Sequence, residues 1–326
     1  MATTQQTMAS PVADAAAMAS RRRGRWSPQE RSEALFALWL VLPALMTIVA
    51  VAFVPLGRAF WLSLWKINLR FANTPRTFQG LDNYWAILQD ERYFNALRVT
   101  GIIAAATVTA ELVLGMIIAL TINRAFRGRG LARAAVLVPW ALTTVVAAKM
   151  WQLIYQTEYG VFNRVLNDLR LIDGYQPWIA SPTFAIWAMI GADVWKTTPF
   201  MALLLLAGLQ LIPGDLHEAS ALDGATRWQS FWRITVPLLK PTILVALLFR
   251  LIDVARMFDL PFVLTNGGPG RETETLTLYT YRALFQNLSF GMGSALAGTT
   301  FLLVMVICFV FIKVLGAPAG GREAAR

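Results

Sequence analysis

The chain has 326 residues, of which 56% are hydrophobic and only 15% are charged, and its mean hydropathy is +0.52. Soluble domains contain about 45–50% apolar and about 25% charged residues, so this composition excludes an ordinary soluble domain and indicates a polytopic membrane protein. The net charge of +10 is spread over loops and termini, so it reports membrane topology rather than nucleic-acid binding.

Reactive side chains are scarce, which narrows the function further. The single cysteine, Cys308, lies in an apolar run, which excludes a disulfide framework and disfavours thiolate chemistry. The single histidine, His217, argues against a histidine-based metal site and is expected to face solvent. No phosphate-binding GxxxxGK sequence occurs, so we do not expect the chain to hydrolyse ATP itself.

The N-terminal residues 1–30 are predicted to form a disordered, basic tail, because the first twenty are rich in Ala, Ser and Thr and arginines follow. A basic stretch ahead of an apolar one also resembles a signal peptide, and residues 50–52 resemble a cleavage site. The apolar segment 34–54, however, exceeds the roughly 7–15 residues of a signal sequence. We therefore predict an uncleaved membrane anchor.

Six apolar runs approach the length of a membrane span. They predict an all-α integral membrane protein with about six transmembrane helices, at 34–55, 96–122, 134–155, 183–208, 241–265 and 291–315. In the loops between them, the sequence also predicts an amphipathic stretch from residue 78 and a short interfacial helix at 161–171.

Basic residues are distributed unevenly between the two sides of the predicted membrane. The N-terminal segment carries five arginines and the loop at 124–133 carries four, whereas the loops after the third and fifth spans carry two each. The positive-inside rule then places the N-terminus, the 124–133 loop, the segment 209–240 and the C-terminus in the cytoplasm. The first outer loop is the exception with five basic residues, but the rule applies mainly to short loops.

The polar segment between the fourth and fifth spans contains two helix signatures. Asp215 and Glu218 predict a capping box, with Gly224 as the C-terminal stop of that helix. Thr226 begins a second capping box, and Pro237 is expected to close the second helix.

The second helix of this segment is predicted to carry an aromatic face, made of Trp228, Phe231 and Trp232 together with Thr235. Such a rigid hairpin projecting from a membrane is typical of a docking element. An interfacial helix that lies on lipid is the alternative.

Residues 218–241 resemble the EAA loop of ABC importer permeases, and the resemblance implies a MetI-like type I permease fold with a hairpin that grips a separate ATPase. Ser220 stands where alanine is usual and Val236 where leucine is usual, but neither change removes a needed group. The resemblance implies that Glu218 pairs with a basic residue of the ATPase and that the aromatic residues fill its cleft. The implied coupling residues are Glu218, Ala219, Ser220, Asp223, Gly224, Ala225, Trp228, Phe231, Trp232 and Pro237.

The charged residues of the fifth predicted span form a regular series. Arg250, Asp253, Arg256 and Asp259 recur every three residues, and their alternating sign allows pairing along the helix. An ionisable side chain at membrane depth costs about 2.5–3.5 kcal/mol on insertion scales, so each one requires a reason. Mutual neutralisation is one interpretation, particularly for the first two residues, and a polar substrate path is the other.

A water-filled cavity that offers a carboxylate, a guanidinium and an aromatic face suits a polyhydroxylated sugar. Arg256 and Asp259 lie beside Phe258 in the sequence, so we predict that they contribute to a sugar path. Asp253 and Asn266 are second candidates for the same role.

The fourth span contributes Asp193 and Lys196, which precede a break expected at 197–199 that could open a cavity. These two residues are either part of the substrate path or a structural pair at a kinked helix. Glu111 and Lys149, in the second and third spans, could pair with each other or with a second permease, and the sequence leaves this open.

Residues 258–270 resemble the signature of carbohydrate-importer permeases of the maltose type, and residues 249–259 resemble trehalose and related disaccharide permeases. The resemblance covers residues 30–316 and implies a binding-protein-dependent inner membrane component. It divides the chain into the tail 1–30, a first helix and outer loop at 31–95, a permease core at 96–316 and a cytoplasmic tail at 317–326.

The resemblance also implies a set of partners in the bacterial inner (cytoplasmic) membrane. They are a second homologous permease subunit, an ABC ATPase dimer, an extracytoplasmic sugar-binding protein and membrane lipid, with no nucleic acid. No cofactor or metal site and no catalytic residue is expected in this chain, because ATP and magnesium would be bound by the partner subunits.

Two other classes of function are alternatives to an importer permease. An ion-coupled secondary transporter or channel could use the Arg/Asp series as a relay, but the inverted repeats of many such transporters are not evident. Uptake that persists without ATP and collapses with the ion gradient would favour it. A membrane-embedded transferase requires a convergent cluster of catalytic groups in the loops, and the sequence shows none.

Overall fold

The structure is a computed structural model that describes residues 28–70, 75–124 and 126–315. Nearly all of the predicted basic tail at 1–30 and the whole of the predicted tail at 317–326 lie outside these residues. Within the described ranges the chain is mainly helical, which confirms the all-α prediction, and it contains one small antiparallel ribbon that the sequence did not predict.

The chain divides into two units after Arg58. The first unit contains α1 (Pro28–Ile48), a π-helical turn (Val49–Phe53) and the start of α2 (Val54–Ser63). Inside α1, the hydroxyl of Thr47 donates a hydrogen bond of 2.9 Å to the carbonyl oxygen of Pro43. The predicted apolar anchor is therefore helical throughout.

The second unit contains the remaining elements. Its first part comprises the ribbon strands β1 (Trp65–Lys66) and β2 (Thr77–Phe78) and the helix α3 (Asp82–Leu88). The helices that follow are α4 (Glu91–Asn123), α5 (Arg129–Ala141), α6 (Thr144–Ile154), α7 (Val161–Asp168), α8 (Pro182–Gln210), α9 (Gly214–Leu222), α10 (Arg227–Ser230), α11 (Val236–Ala255), α12 (Asp259–Leu264), α13 (Leu276–Tyr281) and α14 (Phe290–Leu315). Two π-helical turns, Phe231–Thr235 and Arg282–Gln286, precede α11 and follow α13.

Four helical segments of the described chain are long and apolar enough to cross a membrane: Leu35–Ser63, α4, α8 and α14. A fifth candidate is the pair α5 and α6, which are bent by 89° at their junction. The bend arises at Leu142 and Thr143, whose backbones are extended rather than helical. The third predicted span, 134–155, is therefore two helices bent at their junction rather than one straight helix.

The fifth predicted span, 241–265, is not one continuous helix. α11 ends at Ala255, and the backbone leaves helical geometry at Arg256 and Phe258 before α12 begins. α11 also carries three charged residues, Lys240, Arg250 and Asp253, among its 20 residues. The structure thus divides the run predicted at 241–265 by a three-residue break, which a count of apolar residues does not reveal.

The core of the second unit is formed where α4 and α8 pack along their lengths and α11 packs against both. Gly115 on α4 allows this close approach, because a Cβ atom there would lie 2.8 Å from Cγ of Met201 on α8. Gly208 plays the same part between α8 and α11, where a Cβ atom would lie 2.6 Å from Leu239. Small residues are the common means of bringing membrane helices together.

A second set of charges joins the start of α4 to the loop after α12, and we call it the Glu274 cluster: Arg92, Glu274 and Arg282. The fully buried carboxylate of Glu274 accepts hydrogen bonds of 2.8 and 2.7 Å from Arg92 and one of 2.5 Å from Arg282. Arg282 also donates to the carbonyl oxygen of Asn266 at 2.5 Å. The cluster thus fixes the turn that follows α12.

The Glu274 cluster makes stability dependent on pH. Burial alone raises the pKa of the Glu274 carboxyl, but the hydrogen bonds and charges of Arg92 and Arg282 outweigh it and hold the pKa below its ordinary value. A lowered folded-state pKa contributes stability that is present above the unfolded value of about 4.3 and is lost as pH falls through the folded value.

We therefore expect acid to destabilise the wild-type chain more than the variant Glu274→Gln. Thermal unfolding of both proteins in detergent between pH 6 and pH 3 measures this, with Glu158→Gln on an exposed loop position as the control. Parallel pH profiles for wild type and Glu274→Gln would contradict the expectation.

Candidate functional site

The first candidate site is the hairpin formed by α9, α10 and the π-helical turn 231–235, which we call the coupling hairpin. α9 begins after Pro213 without a side-chain cap, and Asp215 lies inside its first turn. The predicted capping box of Asp215 and Glu218 was therefore wrong. The negative charge of Asp215 still suits this position, because the N-terminal end of a helix carries a partial positive charge.

The turn between the two helices follows the prediction. Gly224 adopts φ +79°, which glycine reaches without strain, and its amide donates to the carbonyl oxygen of Ala221 at 3.1 Å. Thr226 and Gln229 form a complete capping box, with backbone-to-side-chain hydrogen bonds of 2.8 and 3.3 Å. These local signals were strong enough to be read from the sequence.

Pro237 does not close the second helix, which corrects the prediction. α10 continues through the π-helical turn 231–235 directly into α11, and Pro237 lies in the first turn of α11. Proline lacks only its own N–H group and is tolerated in a first helical turn. The coupling hairpin is therefore continuous with the helix that carries the charged series.

The exposed side of the coupling hairpin is aromatic and apolar. Trp228 and Trp232 are 69% and 52% exposed, and their ring centroids lie 5.6 Å apart. Phe231 contacts both rings, and Leu222 is also exposed on the hairpin. Thr235 is buried, so its predicted place on this face was wrong, because the wider π-helical turn shifts it inward.

Sequence reasoning missed how the two helices of the hairpin are tied together. The hydroxyl of Ser220 donates to Ser230 Oγ at 3.2 Å, and Nδ1 of His217 lies 3.1 Å from the same oxygen. Ser220 occupies the position where alanine is usual, so its departure from the pattern was the available signal. Glu218, Ala219 and Asp223 lie on the exposed part of α9 or its end, whereas Ala225 is half-buried.

The second candidate site is a cavity of about 230 Å³ at the break between α11 and α12. Five predicted substrate residues line it: Asp193, Lys196, Asp253, Arg256 and Asp259. The other lining residues are Thr144, Thr197, Met257, Phe258 and Leu260. The structure thus brings together side chains from four helices, α6, α8, α11 and α12, that are up to 115 positions apart in the sequence, from Thr144 to Asp259.

Asn266, the sixth predicted substrate residue, is not among the residues that line the cavity. It lies in the turn after α12 with φ +48°, and its carbonyl oxygen accepts a hydrogen bond from Arg282. Asn266 is therefore held by Arg282 of the Glu274 cluster. Its contact with a sugar stays a prediction.

The cavity wall rests on a buried ion cluster centred on Arg250, which is only 2% exposed. Its guanidinium donates to both oxygens of Glu111 at 2.5 and 2.8 Å, to Asp193 at 3.0 Å and to Asp253 at 2.6 Å. Arg256 lies 3.6 Å from the other oxygen of Asp253. Arg250, Asp253 and Arg256 therefore neutralise one another in part, which is one of the two interpretations of the charged series in the fifth predicted span.

The structure bears on three sequence expectations about the neighbouring charges. Glu111 binds Arg250, whereas Lys149 donates to Gln152. Asp193 binds Arg250 as its ionic partner instead of Lys196. α8 runs unbroken through 197–199, so no break opens the cavity there. Ion pairs between distant helices leave no local spacing signal, which is why the sequence did not identify them.

Aromatic rings lie beside the charged wall of the cavity. Phe258 stacks on Phe262 with centroids 5.1 Å apart, and Tyr281 lies 4.9 Å from Phe258. The site therefore offers charges of both signs and an aromatic surface in one concave place.

Comparison with known proteins decides the family. Residues 111–319 match the family model described as "Binding-protein-dependent transport system inner membrane component". The chain belongs to this family. This membership confirms three predictions: that the chain is an ABC importer permease, that it is a multi-pass membrane protein, and that it is a transport subunit rather than an enzyme. It replaces the alternatives of an ion-coupled transporter and of a membrane-embedded transferase.

Similar proteins and structures agree with this assignment. The permease is 42% identical over 285 residues to the trehalose/maltose transport system permease protein MalF of Thermococcus litoralis, covering 86% of this chain and 94% of that one. It is 43% identical over 292 residues to the trehalose transport system permease protein SugA of Mycobacterium tuberculosis, covering 90% and 92%. A crystal structure of a bacterial ABC transporter for import of the acidic polysaccharide alginate has the same fold, with a TM-score of 0.75, 23% identity and coverage of 89% and 97%.

Proposed function

We propose that this permease subunit carries a sugar, a disaccharide such as trehalose or maltose, through the inner membrane of a bacterial cell. The observation that carries the proposal is the cavity at the α11–α12 break, where Lys196, Arg256 and Asp259 face one space beside Phe258. The names of the two relatives described above support the same substrate class.

The chemistry of the cavity suits a neutral, hydroxyl-rich ligand. Carboxylates accept hydrogen bonds from sugar hydroxyls, and ammonium and guanidinium groups donate to them, so charges of both signs serve one ligand. An aromatic ring such as Phe258 packs against the apolar C–H face of a pyranose. Of the predicted substrate residues, Asp193 and Asp253 are engaged by Arg250, so Arg256, Asp259 and Lys196 are the freer groups for contact.

Transport in this proposal is driven by partner subunits. The coupling hairpin faces the cytoplasm and inserts its exposed tryptophans into one subunit of an ABC ATPase dimer, which binds ATP and magnesium. A second homologous permease completes the pore, and an extracytoplasmic binding protein delivers the sugar. Because the hairpin is continuous with α11, a pull on Trp232 is transmitted along one helix to Arg250 and the cavity.

The direct test replaces the freer charged residues of the cavity. We expect Arg256→Ala and Asp259→Asn each to reduce sugar uptake by about ten- to a hundredfold, because a hydrogen bond to a charged group contributes about 1.5–3 kcal/mol. Uptake of labelled disaccharide into proteoliposomes with saturating loaded binding protein measures this. Matched controls are Arg164→Ala and Asp168→Asn, which change exposed charges on α7.

Uptake that survives both cavity substitutions unchanged would contradict the proposed sugar path. Uptake that persists without ATP but requires an ion gradient would contradict the proposed energy source. A binding assay of the cognate binding protein with a panel of sugars then identifies the sugar, because that subunit selects the substrate first.

A further inference from the structure

Glu111 does not line the cavity, yet it accepts more hydrogen bonds from Arg250 than the other two carboxylates of the buried cluster do. Its two carboxylate oxygens accept two hydrogen bonds from Arg250, at 2.5 and 2.8 Å. The hydroxyl of Thr197 lies 2.5 Å from one of these oxygens and 2.6 Å from the carbonyl oxygen of Asp193, and these two acceptors compete for its single proton. Two parallel N–H groups of one guanidinium directed at the two oxygens of one carboxylate form a bidentate pair, which fixes the relative orientation of both groups. The side chain is fully buried, so no water replaces these donors.

The bidentate contact with Glu111 fixes the orientation of the Arg250 guanidinium. Its Nε and Nη2 atoms face Glu111, which directs Nη1 toward Asp253 and the second proton of Nη2 toward Asp193. Both of these carboxylates line the cavity. A planar guanidinium cannot rotate without breaking several of these bonds together.

We infer that Glu111 and Arg250 are positioning residues that set the placement of Asp193 and Asp253 in the transport cavity. The chain of contacts runs from Glu111 on α4, through Arg250 on α11, to Asp193 on α8 and Asp253 on α11, and on to Arg256. It joins the three helices that form the core, so the cavity wall keeps one geometry only while all three stay in register. The inference rests on the proposed sugar path.

The substitution Glu111→Gln tests the inference, because glutamine keeps the size of the side chain but presents an N–H group and no charge to the guanidinium. We expect the turnover of sugar from saturating loaded binding protein to fall by about ten- to a hundredfold, since small displacements of positioning groups have effects of this size. We also expect the ratio of uptake rates for trehalose and maltose to change. Arg250→Lys, which keeps the charge but loses the bidentate contact, should change the ratio in the same way.

The chain offers a matched control in Glu274→Gln. Glu274 is also fully buried and also binds arginine through both oxygens, but it lies outside the cavity. Both variants lose a buried ion pair, so both should lower thermal stability and the yield of assembled complex. Only Glu111→Gln should change the trehalose-to-maltose ratio of the complexes that assemble, because the ratio is independent of the amount of protein.

The outcomes distinguish the positioning role of Glu111 from the proposed sugar path. If Glu111→Gln and Glu274→Gln both leave the ratio at its wild-type value while Arg256→Ala changes uptake, the positioning role is wrong and the sugar path stands. If none of the three substitutions changes sugar selection or turnover per assembled complex, the sugar path itself is wrong. A shifted ratio in Glu111→Gln alone supports the inference.

Discussion

Replacing Arg250 by methionine is expected to destabilise the permease by about 3–5 kcal/mol, the largest loss of stability predicted for any single substitution in this chain. The change removes the one buried cation that Glu111 and Asp193 share, and it leaves both carboxylates at membrane depth without it. Breaking a buried ion pair from one side has a penalty of this size, because the remaining charge is uncompensated. Thermal unfolding in detergent and the yield of monodisperse protein measure the loss.

The control for this substitution is Arg256→Met, which removes the same charge six positions along the chain. Arg256 is 70% exposed and lies 3.6 Å from a single partner, so its loss should change stability little. The double variant Glu111→Gln, Arg250→Met should recover part of the stability that Arg250→Met loses, because one orphaned charge is removed with the cation. Equal losses for the two arginine variants would show that the buried cluster does not hold the helices together.

Replacing both Trp228 and Trp232 by alanine is expected to abolish stable assembly with the ATPase while the permease itself remains folded. Their exposed rings have no partner in the described part of the chain beyond each other and Phe231, so removing them leaves no cavity behind. Burying one such ring in a partner contributes about 1.5–3 kcal/mol, so each substitution should weaken assembly by about ten- to a hundredfold. Co-purification of the ATPase and ATP-driven uptake measure the effect.

Trp187→Ala is the matched control, since Trp187 on α8 is 58% exposed but lies far along the chain from the hairpin. Glu218→Ala adds a second discrimination on the hairpin itself. Glu218 does not complete a capping box, so its loss should leave the melting temperature unchanged and should still impair coupling to the ATPase. A lowered melting temperature with intact assembly would mean that Glu218 acts only within its own helix.

Local sequence signals predicted much of the coupling hairpin. Gly224 and the Thr226–Gln229 box were correct, because a positive φ angle and a capping box are set by residues within one turn of each other. Pro237 was interpreted wrongly by the same kind of rule. A proline ends a helix only where its missing N–H is needed, and the π-helical turn before it changes which N–H groups are needed.

In the cavity, the sequence predicted the charged residues but not their partners. Five of the six predicted substrate residues do share one space, because charge at membrane depth is itself a functional signal. Their partners were not predictable, since Glu111 and Arg250 are 139 positions apart and no spacing rule connects them. The break at 256–258 was also not predictable, because it contains no proline or glycine.

The amino-acid sequence alone determined the class of this protein: apolar runs of membrane length require helices, and the hairpin with its aromatic face predicts a docking element. Only the tertiary structure decided which buried charges neutralise one another and which remain free to bind a ligand. The physical reason is that hydrophobicity and helix capping act within a few residues along the chain. Ion pairing between α4, α8 and α11, by contrast, depends on packing that exists only when the three helices have come together.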